Sequence, residues 1–200
     1  MTRIAITGGL CSGKTTLSAL LRERGCPVAD ADRLGRELLQ TQAKAALLAR
    51  FGTAILDAVG HVEPACLADR VFAHGQEAAL ADLNRIMHPL ILAAAEQQLQ
   101  YWQTEGADLA GVEAALLIEE KLLAGFDCVV LVVAEVETRI QRFRERGGSR
   151  EQALARMARQ LPDERKQEQA DRVMDNNGSP AALVPQVERL LRDLRSGAGA

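Results

Sequence analysis

Two periods of apolar and polar residues alternate along this chain. Residues 3–7 form a short apolar, branched run of the kind a buried parallel strand uses, and Leu17, Leu20 and Leu21 then recur at helical spacing. Gly25 and Pro27 stop that helix, and Val28 opens a second strand that ends in Asp30, Ala31 and Asp32. Strand, helix and strand in that order predict a parallel sheet. From Arg33 to about Gln103 the pattern is almost wholly helical, with Gly52, Gly60, Pro64, Gly75 and Pro89 as its punctuation. Strands follow at 110–118 and 128–134, with a helical stretch between them. Residues 137–146 and 150–160 read as helices parted by Gly147 and Gly148, the second closed by Pro162. A last strand precedes the turn at Asn176, Asn177 and Gly178, a terminal helix covers 181–195, and the tail 196–200 has nothing to pack.

These elements predict one αβα body, with core segments 1–32, 104–138 and 167–200, a helical insert at 33–103 and a lid at 139–166. Hydrophobic residues at 48% and charged residues at 26% match an ordinary globular protein, which excludes disorder and fibrous repeats. The longest clean apolar run, 128–134, is far short of the ~20 residues a membrane span needs. No basic, apolar leader precedes the first strand, so a cytoplasmic protein that meets no membrane is expected. The net charge of −3 argues against a general nucleic-acid binder. Its distribution says more: residues 139–166 carry +5 and the rest of the chain −8, the asymmetry of an arm that meets a polyanion. Cysteines 11, 26, 66 and 128 form no C-x-x-C pair, so they are read as free thiols.

The chemistry begins at Gly8-x-x-x-x-Gly13-Lys14-Thr15, which lies between the first strand and the first helix. Glycines there let successive backbone N–H groups converge on one anion, and the helix start adds its positive dipole end. Gly8, Gly9, Cys11, Ser12, Gly13, Lys14, Thr15 and Thr16 are therefore expected to hold a nucleoside triphosphate. Lys14 would bridge the β- and γ-phosphates, and Thr15 would reach Mg²⁺. Asp30 and Asp32 stand at the carboxyl end of the second strand, beside the loop or one strand away, where open α/β sheets form their crevice. A carboxylate there can take the proton of an attacking hydroxyl; Asp32 can also simply cap a helix starting at Arg33. Arg139, Arg142 and Arg146 recur at i, i+3 and i+7, so they can share one helix face turned to the phosphates. His88, beside the helix-breaking Pro89, is a candidate for an anionic acceptor. The guanine-specificity segment N-K-x-D is absent, which disfavours a nucleotide switch and leaves a small-molecule kinase.

With the glycine loop, DAD at 30–32, HPLI at 88–91 and DNNG at 175–178 in this order, the chain resembles the dephospho-coenzyme A kinase family. The resemblance spans most of the chain and implies a three-layer αβα P-loop NTPase fold with a helical acceptor insert and an arginine-rich lid. It implies ATP-dependent phosphorylation of the ribose 3′-hydroxyl of dephospho-CoA, with Mg²⁺ as cofactor and no obligate protein partner. Residue by residue, it implies Asp32 as catalytic base, Lys14 and Arg142 as catalytic cations, and Arg142, Arg146 and Asn177 as further ATP contacts. On the acceptor side it implies Asp32, Arg70 and His88. The family's P-L-L-x-E segment appears with Ala115 in place of the proline, followed by Glu119, after a strand that Gly111 and Glu113 interrupt. Pro64 stands where many relatives have arginine, and Gln160 fits the glutamine of the lid.

Overall fold

A five-stranded sheet, parallel throughout, carries the glycine loop at the end of its central strand. β1 (Thr2–Gly8), β2 (Val28–Asp30), β3 (Leu109–Glu113), β4 (Cys128–Val133) and β5 (Arg172–Asp175) pair in the order β2-β3-β1-β4-β5. The computed structural model describes residues 1–72 and 77–197, so the expected break at Gly75 and the end of the tail lie outside the described residues. Two compact units emerge, one of Met1–Asp30 with Leu99–Ala200, the other of Ala31–Gln98.

In the first unit both faces of the sheet are covered, which is why β1 and β4 are apolar at every parity. Ile4, Ile6, Val130 and Val132 pack with Leu17 and Leu21 of α1 (Lys14–Glu23) and with Val187, Leu190 and Leu191 of α9 (Val184–Ser196). Ala5 and Val129 face the other way, onto Leu117 and the half-buried Leu122, Leu123 and Phe126. The segment between β3 and β4 is therefore a run of turns and not the expected helix, because its apolar residues reach that face without one. Gly111 and Glu113 do not interrupt the strand. Gly111 sits inside the sheet, where a Cβ would lie 3.3 Å from the Ile4 carbonyl oxygen, and Glu113 ends the strand opposite Ile6 and Asp30. The strand stops there and not at Ile118. Since β3 separates β2 from β1, the second strand stands one place away from the glycine loop's strand.

The arginine-rich segment folds as α6 (Val136–Glu145), α7 (Arg150–Met157) and α8 (Asp163–Gln167). Ser149 and Gln152 form a reciprocal capping box that starts α7. That helix ends at Met157, so Gln160 lies in a turn and not in the helix the sequence predicts.

The second unit consists of α2 (Ala31–Gln40), α3 (Lys44–Phe51), α4 (Pro64–Phe72) and the larger part of α5 (Glu77–Thr104). Leu38, Leu47, Phe51, Ile55, Val62, Leu67 and Met87 form its core. The Gln40 amide accepts from the Val62 N–H and donates to the Val62 carbonyl, at 2.9 and 2.7 Å. Pro64 begins a helix, where its missing N–H leaves nothing unpaired. Pro89 does not break one: α5 runs through it, a cost of about 3 kcal/mol offset by the apolar residues on both sides, from Met87 to Ala94, that pack into the core. His88 is accordingly a mid-helix residue.

Candidate active site

β1 delivers the chain into the glycine loop at Gly8, and α1 leaves it at Lys14. Gly13 is the helix N-cap in the left-handed region, with φ 104° and ψ 24°. A Cβ there would also fall 1.8 Å from the Asn176 Nδ2, so only glycine satisfies both the backbone and the neighbour. No side chain caps α1 and no acidic residue stands in its first turn. The first N–H groups thus lack both intrahelical and side-chain acceptors at the positive end of the helix dipole, the local condition for holding a phosphate.

Side chains from α6, from the turn after α7 and from the end of β5 grip the outside of the loop. Arg139 Nε donates to the Leu10 carbonyl at 2.9 Å, and Gln160 Oε1 accepts from the Leu10 N–H at 2.8 Å. Asn176 Nδ2 donates to the Ser12 carbonyl at 2.7 Å; Arg142 Nη1 reaches the same carbonyl at 3.3 Å and Arg142 Nη2 the Asn176 carbonyl at 2.7 Å. A Cβ on Gly9 would come within 2.3 Å of Arg139 Nη2, so the second glycine is set by the arginine behind it. Lys14 folds back over the loop, its Nζ 2.9 Å from the Gly8 carbonyl oxygen and 3.3 Å from that of Gly9.

Opposite the loop, Thr15 Oγ1 donates to Glu113 Oε1 at 2.9 Å. Glu113 is 6% exposed, and its Oε2 is buried with no hydrogen-bond partner. A carboxyl oxygen so placed is open to a cation, and a hydroxyl with a carboxyl group suits a hard divalent ion. Among the described residues no group of three or more His, Cys, Asp or Glu forms a metal cage. An ion that arrives on a triphosphate needs only one or two protein oxygens.

Of the residues singled out in the sequence, Gly8 to Thr16 and Arg142 come together here. Arg139 is 6% exposed and pairs with Asp163 at 3.0 Å, and both it and Arg142 are bonded to carbonyls of the loop in this structure. Arg146 is exposed just beyond the end of α6, and Asn177 is exposed, its Oδ1 accepting from the Glu135 N–H. Asp32, Arg70 and His88 all belong to the helical unit: Asp32 exposed in the first turn of α2, Arg70 exposed in the last turn of α4, His88 half-buried in α5. Since α2 starts at Ala31, Asp32 lies inside the helix and is not its N-cap. Glu113 and Asn176 were not singled out from the sequence. A charge closing an apolar strand was the available signal for the first, and the doubled asparagine of DNNG for the second.

The comparisons with known proteins agree with this geometry. The dephospho-CoA kinase family model matches residues 2–182. A dephospho-CoA kinase of Anaeromyxobacter dehalogenans is 39% identical, over 98% of this chain and 93% of its own, and one of Corynebacterium glutamicum is 35% identical over 98% of both. A crystal structure of a Thermus thermophilus protein superposes with a TM-score of 0.84 at 32% identity, covering 96% of this chain and 97% of its own. A shikimate kinase of Acinetobacter baumannii, solved with shikimate, shares the fold alone, with a TM-score of 0.53 at 18% identity over 98% of this chain and 94% of its own. Loop, sheet order and sequence kinship converge, and the chain belongs to the dephospho-CoA kinase family.

Proposed function

We propose that this chain carries out the family's reaction, ATP-dependent phosphorylation of dephospho-CoA in the last step of CoA synthesis, with its own residues in the following roles. The ribose 3′-hydroxyl oxygen of the acceptor attacks the γ-phosphorus, the bond to the β–γ bridging oxygen breaks, and ADP leaves. Asp32 takes the hydroxyl proton and aims the oxygen; its place in the first turn of the helix after β2 supports this role. Main-chain N–H groups of the glycine loop and the α1 N-terminus hold the triphosphate, and Lys14 leaves the Gly8 carbonyl for the phosphate oxygens. Arg142, whose Nη1 rests on the Ser12 carbonyl, turns from it to stabilise the charge that develops in transfer, and Arg146 and Asn177 extend the ATP site. Thr15 and Glu113 would hold Mg²⁺, which when bound neutralises charge on the phosphate oxygens. Arg70 and His88 contact the acceptor's own phosphates from the helical unit.

The observation that carries the reading is the uncapped helix start at Gly13, behind which the loop's carbonyls are drawn by Asn176, Arg139 and Arg142. No described helix is long and apolar enough to cross a membrane, and the four cysteines are free, which supports a cytoplasmic setting. The deciding experiment measures ADP release with Mg²⁺ and, in turn, dephospho-CoA, nucleoside monophosphates and shikimate. Turnover with dephospho-CoA alone, lost in Lys14→Ala, is the expected result. Equal ADP release with no acceptor present would overturn it.

A further inference from the structure

We infer that Gln160 is a positioning residue for the phosphate-binding loop and that the buried Lys166–Glu119 ion pair anchors the segment that presents it. The inference rests on the reading of the loop as the ATP site.

Leu10 is held on both sides of its peptide unit. Its N–H donates to Gln160 Oε1 at 2.8 Å, and its carbonyl accepts from Arg139 Nε at 2.9 Å. Both restraints trace back to the same seven residues, 160–166. Asp163 takes the other arm of Arg139 at 3.0 Å. Lys166, fully buried, lies 2.7 Å from Glu119 Oε1, and the same oxygen accepts from the Leu161 N–H at 3.3 Å. A fully buried lysine is costly unless paired, so this segment is tied down where its cation meets Glu119. Gln160 is the residue next to Leu161, at the free end of that tether.

Ordering a loop at the moment of binding costs conformational entropy; a loop ordered beforehand does not incur that cost then. Leu10 directly precedes Cys11, which holds a left-handed backbone at φ 54°. That conformation is unfavourable for a side-chain-bearing residue and persists only when its neighbours are fixed. Gln160 supplies the fixation on the amide side. Without that restraint the free loop must be ordered when ATP binds, so its loss weakens ATP binding; once ATP holds the loop, transfer is not slowed.

The test uses Gln160→Met, which keeps length and volume but removes the acceptor oxygen, and Gln160→Glu, which keeps an oxygen. In nucleotide-free protein, exchange of the Leu10 amide is expected to quicken about tenfold in the first variant and to stay slow in the second. KM for ATP should rise about tenfold in Gln160→Met with kcat within about threefold and the thermal midpoint lowered by no more than about 5 °C. The paired change Glu119→Leu with Lys166→Met, an apolar replacement that keeps the fold, should raise KM in the same way. Unchanged Leu10 exchange, or faster exchange with an unchanged KM, overturns the assignment; an unchanged KM in the paired variant overturns the anchoring. Leu10 exchange is read without ATP, so it can fail while Lys14→Ala still confirms the ATP site.

Discussion

The side-chain amide of Asn176 donates to the Ser12 carbonyl at 2.7 Å and fills the space that a Cβ on Gly13 would need. One contact thus explains the last glycine of the loop and the first asparagine of DNNG, which lie far apart in sequence. Asn176→Asp puts an acceptor where the donor stood, at a residue only 4% exposed. The expected cost is about 1–3 kcal/mol in chemical denaturation, because a buried carbonyl loses its partner and meets a carboxylate. ATP binding should weaken along with it.

Glu113 and Thr15 give a second prediction. In Glu113→Gln the carboxamide can still accept from Thr15 Oγ1 but loses its charge. The Mg²⁺ concentration for half-maximal turnover should rise by about 10–100-fold while ATP binding without metal stays near the parent's. A titration of rate against Mg²⁺ reads this directly, and an unshifted midpoint would remove Glu113 from the metal's shell.

Asp32→Asn keeps shape and removes the proton acceptor. Turnover should fall by about 10²–10⁴-fold with little change in KM for ATP. Calorimetric titration with ATP separates the two effects, and a variant that turns over normally ends the case for Asp32 as base.

The sequence made the loop, the parallel sheet and the helical block legible because each has a local period or a fixed spacing. β3 was harder. Gly111 looked like a breaker, yet it is the residue that fits beneath Ile4 and Ile6, and whether a backbone approaches that closely is a matter of neighbours the sequence does not list. The helix misread between β3 and β4 has the same origin, since Leu122, Leu123 and Phe126 recur at helical intervals but pack from turns. Among the arginines, spacing put Arg139 and Arg142 on one side of α6. Only the fold separates the one that meets Asp163 behind the loop from the one that reaches Ser12 and Asn176.

Burial sets an alkaline limit on stability. The thiol of Cys26 is pushed up from 9.0 to about 12, and that of Cys128 from 9.0 to about 11, in each case mainly by burial. The sign follows from linkage: both thiols stay protonated in the folded chain but ionise in the unfolded chain above pH 9. Their contribution is therefore whole below that pH and lost as pH rises, at about 1 kcal/mol per pH unit for each thiol. Denaturation midpoints taken between neutral pH and pH ~10.5 should fall less steeply in Cys26→Ala with Cys128→Ala than in the parent.

Arg139 and Arg142 should separate by phenotype, although both arise from one helix. Arg139 is 6% exposed and spans the Leu10 carbonyl and the Asp163 carboxylate, so its removal strands a half-buried charge and a half-buried carbonyl. Arg139→Met is expected to cost about 3–5 kcal/mol of stability. Lysine in its place keeps the charge but cannot serve two acceptors with a planar fork, so it should recover only part of the loss. Adding Asp163→Leu to Arg139→Met removes the stranded carboxylate and should restore much of the stability, because the pair is then replaced by apolar packing. Arg142 is half-buried and, among the described residues, is bonded to carbonyls and pairs with no carboxylate. Arg142→Met should therefore cost less stability and act on kcat, which a denaturation curve and a rate measurement on the same four proteins would distinguish.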